Sequence, residues 1–333
     1  MKKLLLLFCL FIYTSHTWGQ ATLSPTTSVT FTVAQDGSGN YKTIQEAVNS
    51  FRDHMQVRVT LFVKNGTYAE KLVIPSWKPN IHVIGESKEG VIITGDDYSG
   101  KTYPGGKDWT GNSKFSTYTS YVVLVDAPDI ILENLTIRNT AGRVGQAVAL
   151  HVEGDRFVCK NCILLGNQDT LYAAAEGTRQ YYENCYIEGT TDFIFGKSIS
   201  VFQSCTIKNL SDSFITAAAT PVYQPYGFVF FDCKLIADPA VKKAYLGRPW
   251  RPSAKTIFIR TDIGDHILPV GWDNWGNADN EKTVLYAEYG STGPGGNPSK
   301  RAGWSRQLSA KDAKQYTLAN IFSAQSAWNP KSQ

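Results

Sequence analysis

Histidine is scarce in this chain, with five among 333 residues. His16 lies in an N-terminal stretch read below as a leader, which leaves His54, His82, His151 and His266. No Gly-x-Ser-x-Gly elbow accompanies them, so histidine-activated serine chemistry has no support. Long basic runs are missing too. None exceeds Lys242-Lys243, and a formal net charge of +4 gives no case for a nucleic-acid partner. No Asp-x-Asp-x-Asp spacing offers a calcium loop. Long apolar runs are also lacking. Leu4 to Tyr13 is half of the roughly 20 residues a membrane span requires.

What is present begins with Met1-Lys2-Lys3, that apolar run, and small polar residues to about Gln20. A basic start, a short apolar stretch and a polar end describe a secretory signal over residues 1–20, cleaved near Gly19 or Gln20. Residues 21–29 read as an exposed lead-in and residues 30–333 as one domain. Removing Lys2 and Lys3 lowers the net charge from +4 to +2. The protein is expected to be secreted: extracellular, or periplasmic in a Gram-negative source.

A strand pattern then restarts at short intervals, as Ile130–Ile137, Phe157–Leu164, Tyr181–Ile187, Val201–Ile207 and Phe230–Ile236. A recurring unit of this length marks a solenoid, each unit packing on its neighbours. Cys162, Cys185, Cys205 and Cys233 fall at one place in their units. They are read as a column of small buried hydrophobes, with a rung-to-rung disulfide between Cys185 and Cys205 as the alternative. In Cys159-Lys160-Asn161-Cys162 the two cysteines are expected on opposite faces, since positions three apart on a strand diverge. That argues against a metal pair. A helix from Thr43 to about Phe51, with Thr43 and Glu46 as a capping box, is the expected cover for the open end. A second helix is expected from Ser309 to about Phe322, closing the chain. Asp97–Ser116 and Asp273–Asn280 read as long flanking loops.

Gln146, Asp169 and Asp192 stand 23 positions apart. In a solenoid with that register they would stack on adjacent rungs, about 4.8 Å apart. Any one of them alone is more commonly a turn cap or a surface rung residue. Three in register make a site. Two neighbouring carboxylates repel, so one pKa rises unless a cation favours the charge of the other.

The surrounding segments are Gly66-Thr67-Tyr68-Ala69-Glu70, Gln146-Ala147-Val148-Ala149-Leu150, Gly166-Asn167-Gln168-Asp169-Thr170-Leu171-Tyr172, Asp192-Phe193-Ile194-Phe195-Gly196 and Leu246-Gly247-Arg248-Pro249-Trp250. Taken together and in this order, they resemble the secreted pectin methylesterases over roughly residues 30–325. The resemblance implies an all-β fold, a single-stranded right-handed parallel β-helix with short capping helices and long flanking loops. It implies Asp192 as nucleophile, Asp169 as general acid/base, Gln146 and Gln168 as oxyanion donors, and Arg248 as partner of the nucleophile. Phe195, Trp250 and Trp272 would wall the sugar, and Thr117 would touch substrate. Asn167 before the Gln-Asp-Thr-Leu segment and Lys197 after Asp-Phe-Ile-Phe-Gly depart from the usual pattern. Both lie outside the catalytic roles.

The implied activity is hydrolysis of methyl esters in pectin by a monomer, with no metal and no cofactor. A polysaccharide lyase on the same kind of solenoid would want a calcium-binding carboxylate cluster. A noncatalytic pectin-binding solenoid would not need Asp192 and Arg248. A thioesterase relative would not need Trp250 and Trp272. Trp109, Trp272 and Trp275 are expected on the walls of an open cleft, with Lys107, Lys114 and Lys197 holding product carboxylates.

Overall fold

The computed structural model describes residues 29–108, 110–323 and 326–332. The leader assigned to residues 1–20, nearly all of the lead-in, and Trp109 fall outside the described residues. The chain winds as a right-handed parallel β-helix whose rungs build three all-parallel sheets of eleven, eight and seven strands. Among the described residues no helix is long and apolar enough to cross a membrane.

Six consecutive coils leave the eleven-stranded sheet through one residue in the left-handed region. Asn134, Asn161, Asn184, Ser204, Asp232 and Arg260 occupy that corner with φ between 50° and 55°. Asparagine and aspartate tolerate this conformation because a short polar side chain bonds locally. The Asn161 amide donates to Asn134 on the rung below. Ser204 and Arg260 are the exceptions, and Arg260 pairs with Asp232 one rung away at 2.7 and 2.9 Å.

The next residue in four of these coils is Cys162, Cys185, Cys205 or Cys233, turned into the corner. All four are free, buried thiols, and no Cys185–Cys205 disulfide is present. The column is therefore one of small hydrophobes. The expectation that Cys159 and Cys162 face apart is corrected. Both are buried in the same core, because the left-handed bend at Asn161 interrupts the strand alternation between them.

Along the interior, Tyr182, Phe202, Phe230 and Phe258 sit in register and stack nearly parallel at centroid distances of 4.7, 4.4 and 4.4 Å. Phe258 then meets Trp272 at 5.9 Å, and Trp272 meets Tyr286 at 4.5 Å. Aromatic pairs of this kind contribute about 0.5–1.5 kcal/mol each beyond the area they bury.

The N-terminal helix runs Ile44–Ser50 and buries Ile44, Ala47 and Val48. Thr43 Oγ1 accepts from the Glu46 amide at 3.1 Å. The Glu46 carboxylate reaches the Lys42 amide, where the capping-box pattern expects that of Thr43. Glu70 accepts from the amides of Ile44 and Gln45 at 3.0 and 2.9 Å. A carboxylate there satisfies two orphan donors and complements the helix dipole.

The single C-terminal helix expected from Ser309 is corrected to two short ones, Ala310–Ala313 and Leu318–Phe322. Thr317 adopts extended geometry and caps the second, so the first cannot continue through it. These turns cover the flank of the eleven-stranded sheet, where Ile321 and Phe322 pack on Val158, Tyr181 and Val201. Arg179 fixes them there. It is paired with Asp155 and donates to the carbonyls of Phe322 and Ser326.

Candidate active site

The seven-stranded sheet carries the site. One column of positions, Leu72, Val123, Leu150, Leu171, Ile194, Thr216 and Gly247, points inward. The adjoining column, Val73, Leu124, His151, Tyr172, Phe195, Ala217 and Arg248, points outward. Tyr172 and Phe195 stack at 4.4 Å and 7° to form an aromatic floor, and Trp250 meets Phe195 edge-on at 5.9 Å. His151 extends this floor, 4.5 Å from Tyr172, with Nε2 bonded to Glu153 at 2.8 Å. It belongs to the buried rim, away from the carboxylates.

Asp169 and Asp192 precede their strands at the same level. The Leu171–Ile194 register and the Asp169 amide bonded to the Thr191 carbonyl at 3.1 Å set them side by side. Both backbones are left-handed, with φ of 66° and 49°, and both side chains are nearly buried, at 7% and 6% exposure. The 23-residue register holds for this pair but not for Gln146. Gln146 bridges to Gln168 and so lies level with it, one position off the spacing expected from sequence. The strands here pair at an offset of 21, Leu150 opposite Leu171, and the amides of Ala149 and Leu150, both donating to the Thr170 carbonyl, mark the irregularity that lengthens it to 22 at Gln146. The consequence is a pair of amides beside a pair of carboxylates.

Arg248 approaches Asp192 bidentately, Nε to Oδ1 at 3.0 Å and Nη2 to Oδ2 at 2.7 Å. This fork geometry is the strongest form of charge-assisted pairing. Burial pushes the Asp169 carboxyl well above the usual carboxylate range. The Asp192 charge adds to that, and Arg248 pulls against both. Burial also raises Asp192; the hydrogen bonds and charge of Arg248 draw it back, and Asp273 pushes it up. Arg248 therefore does not cancel the cost of burying Asp192. It does leave Asp169 the carboxyl that more readily keeps a proton.

Thr117, Tyr118, Gln146, Gln168, Asp169, Asp192, Phe195, Ala217, Arg248, Trp250 and Trp275 line one open cleft. Of the catalytic and sugar-contacting residues that the resemblance implied, Trp272 lies elsewhere. Its place on the cleft wall is corrected to the solenoid interior, at 2% exposure. Trp272 is level with Gly247, an inward position, and packs against Phe258 and Tyr286 in the interior, while Gly247 is required by the rung on its other side, where a Cβ would meet Thr216 Oγ1 at 1.9 Å. An outward Arg248 makes Gly247 inward, and the bridge between Gly247 and Trp272 makes Trp272 inward with it. Trp275 takes the wall position at 37% exposure, and Tyr118 was missed altogether. Lys107, Lys114 and Lys197 do not line the cleft. Among the described residues no His, Cys, Asp and Glu group is arranged to hold a metal ion.

The family model described as Pectinesterase matches residues 30–325. The chain is similar to a putative pectinesterase/pectinesterase inhibitor of Arabidopsis thaliana, 37% identical over 303 residues, which cover 86% of this chain and 48% of that relative. It thus spans about half the length of the first curated relatives it matches. Among solved structures it resembles pectin methylesterase from carrot, with a TM-score of 0.79, 31% identity and coverage of 91% and 94% of the two chains. A pectin methylesterase solved in complex with a hexasaccharide gives 0.78 and 29%, covering 91% and 99%.

The burial of Trp272 yields a stability prediction. Trp272→Ala should lower the unfolding free energy by about 3–5 kcal/mol, as expected for truncating a fully packed aromatic. Denaturant unfolding measures it; a loss below about 1 kcal/mol would return the ring to the surface.

Proposed function

The chain belongs to the pectinesterase family, and on that premise we propose that it hydrolyses methyl esters of polygalacturonate, releasing methanol and acidic pectin. The observation that carries this reading is the bidentate Arg248–Asp192 pair beside a second buried carboxyl, on the floor of an open cleft. An open cleft suits a polymer, and an aromatic floor suits sugar C–H faces. Export fits such a substrate, and its basis is the sequence of residues 1–20, outside the described residues.

In this reading ionised Asp192 attacks the ester carbonyl carbon. The carbonyl π electrons move to oxygen, and the oxyanion accepts hydrogen bonds from the Gln146 and Gln168 amides. These donors are neutral, so they stabilise the new charge without drawing down the pKa of Asp169. The tetrahedral intermediate collapses, the C–O bond to methoxide breaks, and Asp169 gives that oxygen its proton. Methanol leaves an anhydride between Asp192 and the galacturonate carboxyl. Asp169, now a carboxylate, takes a proton from water as its oxygen attacks the galacturonyl carbon. Asp192 departs as a carboxylate and Asp169 is protonated again. Arg248 stabilises Asp192 in the free enzyme and as leaving group, which is where its two hydrogen bonds are needed. Every proton and electron pair is held on the chain, the ester or water.

Asp192→Asn and Asp169→Asn are expected to fold and to lose methanol release from methylated pectin by a factor on the order of 10³ or more. An Asp192→Asn enzyme with native turnover would refute the nucleophile. Gln146→Ala should lose about 10²- to 10³-fold, as for one oxyanion donor.

The pH profile of kcat/KM should be bell-shaped. The acid limb follows protonation of Asp192, and the alkaline limb follows loss of the Asp169 proton, which burial retains to higher pH. Arg248→Lys, which replaces the fork by a point charge, should move the acid limb to higher pH. An unmoved limb would assign it to another group.

EDTA should leave methanol release unchanged. Loss of activity restored by calcium, with ultraviolet-absorbing unsaturated products, would instead support a lyase.

A further inference from the structure

Trp275 stands in a conformation that tryptophan rarely adopts, with φ of 61°. A bulky side chain there is strained, and such strain persists only where its surroundings impose it. They do so here. The Trp275 amide donates to Asp273 Oδ1 at 2.7 Å, the Gly276 amide to Asn274 Oδ1 at 2.9 Å, and Asn274 Nδ2 to Glu281 at 2.7 Å. Asn280 Nδ2 closes the turn on the Asn274 carbonyl at 3.0 Å. Asp273 itself follows Trp272 on the rung beyond Arg248, its amide bonded to the Gly247 carbonyl.

This turn sets the Trp275 ring over the Arg248 guanidinium, 3.8 Å from its central carbon. The Phe214 ring lies 4.0 Å from the same atom. A ring so close claims a whole face of the planar group, so two such rings take both faces. Only the guanidinium edge remains free, and that edge meets Asp192 through Nε and Nη2.

We propose that Trp275 and Phe214 are positioning residues that clamp the Arg248 guanidinium in the plane of the Asp192 carboxylate. The proposal rests on the reading of Asp192 as nucleophile. An unclamped arginine rotates about its side-chain bonds and exchanges one of the two parallel hydrogen bonds for water. A pair held by packing and shielded on both faces keeps its fork and its strength. The groups acting on Asp192 are Arg248 from two rungs along the same sheet, Asp169 one rung away, Asp273 from the Trp275 turn, and Tyr286 from the opposite sheet. Arg248 alone among them is a cation. Loosening it therefore disfavours ionised Asp192, and the acid limb of activity moves to higher pH.

A tryptophan that only walls the cleft would behave differently. Its loss would raise KM for the polymer and leave kcat and the acid limb in place. Trp275→Leu and Trp275→Phe are to be compared with wild type on methylated pectin and on a short methyl-esterified oligogalacturonate. Trp275→Leu should lower kcat by about 10- to 10²-fold on both substrates, as for a misplaced catalytic partner. It should also move the acid limb to higher pH, while Trp275→Phe, which restores an aromatic face, returns both to within a few-fold of wild type. Phe214→Leu should repeat the Trp275→Leu result from the other face. In an Arg248→Lys background Trp275→Leu should add little, since the planar group it clamps is gone. An unchanged kcat and acid limb in Trp275→Leu, with only KM for pectin raised, would overturn the clamp and leave the esterase reading intact. A wild-type chain that releases no methanol from either substrate would overturn that reading itself.

Discussion

Every coil of this solenoid must leave one sheet and enter the next at the same place, or the rungs cannot stack. The left-handed residue between the eleven- and eight-stranded sheets meets that constraint six times with nearly one φ. A repeated bend keeps the hydrogen-bonded ladders parallel, and parallel ladders keep like positions above one another. The aromatic stack from Tyr182 to Phe258, the cysteine column and the inward column ending at Trp272 all follow from it. So does the outward column from His151 through Phe195 to Arg248. The site is a by-product of the same ladder, with two further left-handed residues, Asp169 and Asp192, turned toward the cleft where the seven-stranded sheet begins.

Burial and pairing work against each other at those two aspartates. Burying a carboxylate is costly unless it is paired and hydrogen-bonded. Asp192 has a bidentate arginine and Asp169 has none, so the same depth of burial affects them unequally. That inequality separates two chemically identical side chains into a group suited to attack and a group suited to donate a proton. Arg248 in turn depends on its own surroundings, an aromatic ring on each face and a turn held by Asp273, Asn274 and Asn280. The pKa difference therefore reaches well beyond the two carboxyls, into a loop whose sequence carries no period.

Several features were legible because they obey a local rule. Thr43 with Glu46 marked the start of a helix, and the strand repeats marked the solenoid. The Asp169–Asp192 spacing marked two level carboxylates. Others failed where a rule was applied across an interruption. Strand alternation put Cys159 and Cys162 on opposite faces, but the bend at Asn161 lies between them. The 23-residue spacing put Gln146 level with Asp169, but the strands between these rungs pair at a shorter offset, Leu150 opposite Leu171, which leaves Gln146 beside Gln168. The cap at Ser309 suggested one helix running through Thr317, but that residue caps a second helix.

The sequence by itself determined the repeat, the fold class it implies, and the identity of the polar groups that converge. These depend on residue type and on separation along the chain, both of which a sequence states directly. Only the tertiary structure decided which tryptophan faces the cleft. Trp272 and Trp275 are three residues apart in one irregular loop, and no period distinguishes them. The choice was made by Gly247 on the neighbouring rung, whose inward level Trp272 shares, and by Arg248, whose exposed face Trp275 covers. Both neighbours are more than twenty residues away in sequence. They act only once the coil has closed and brought them to within contact.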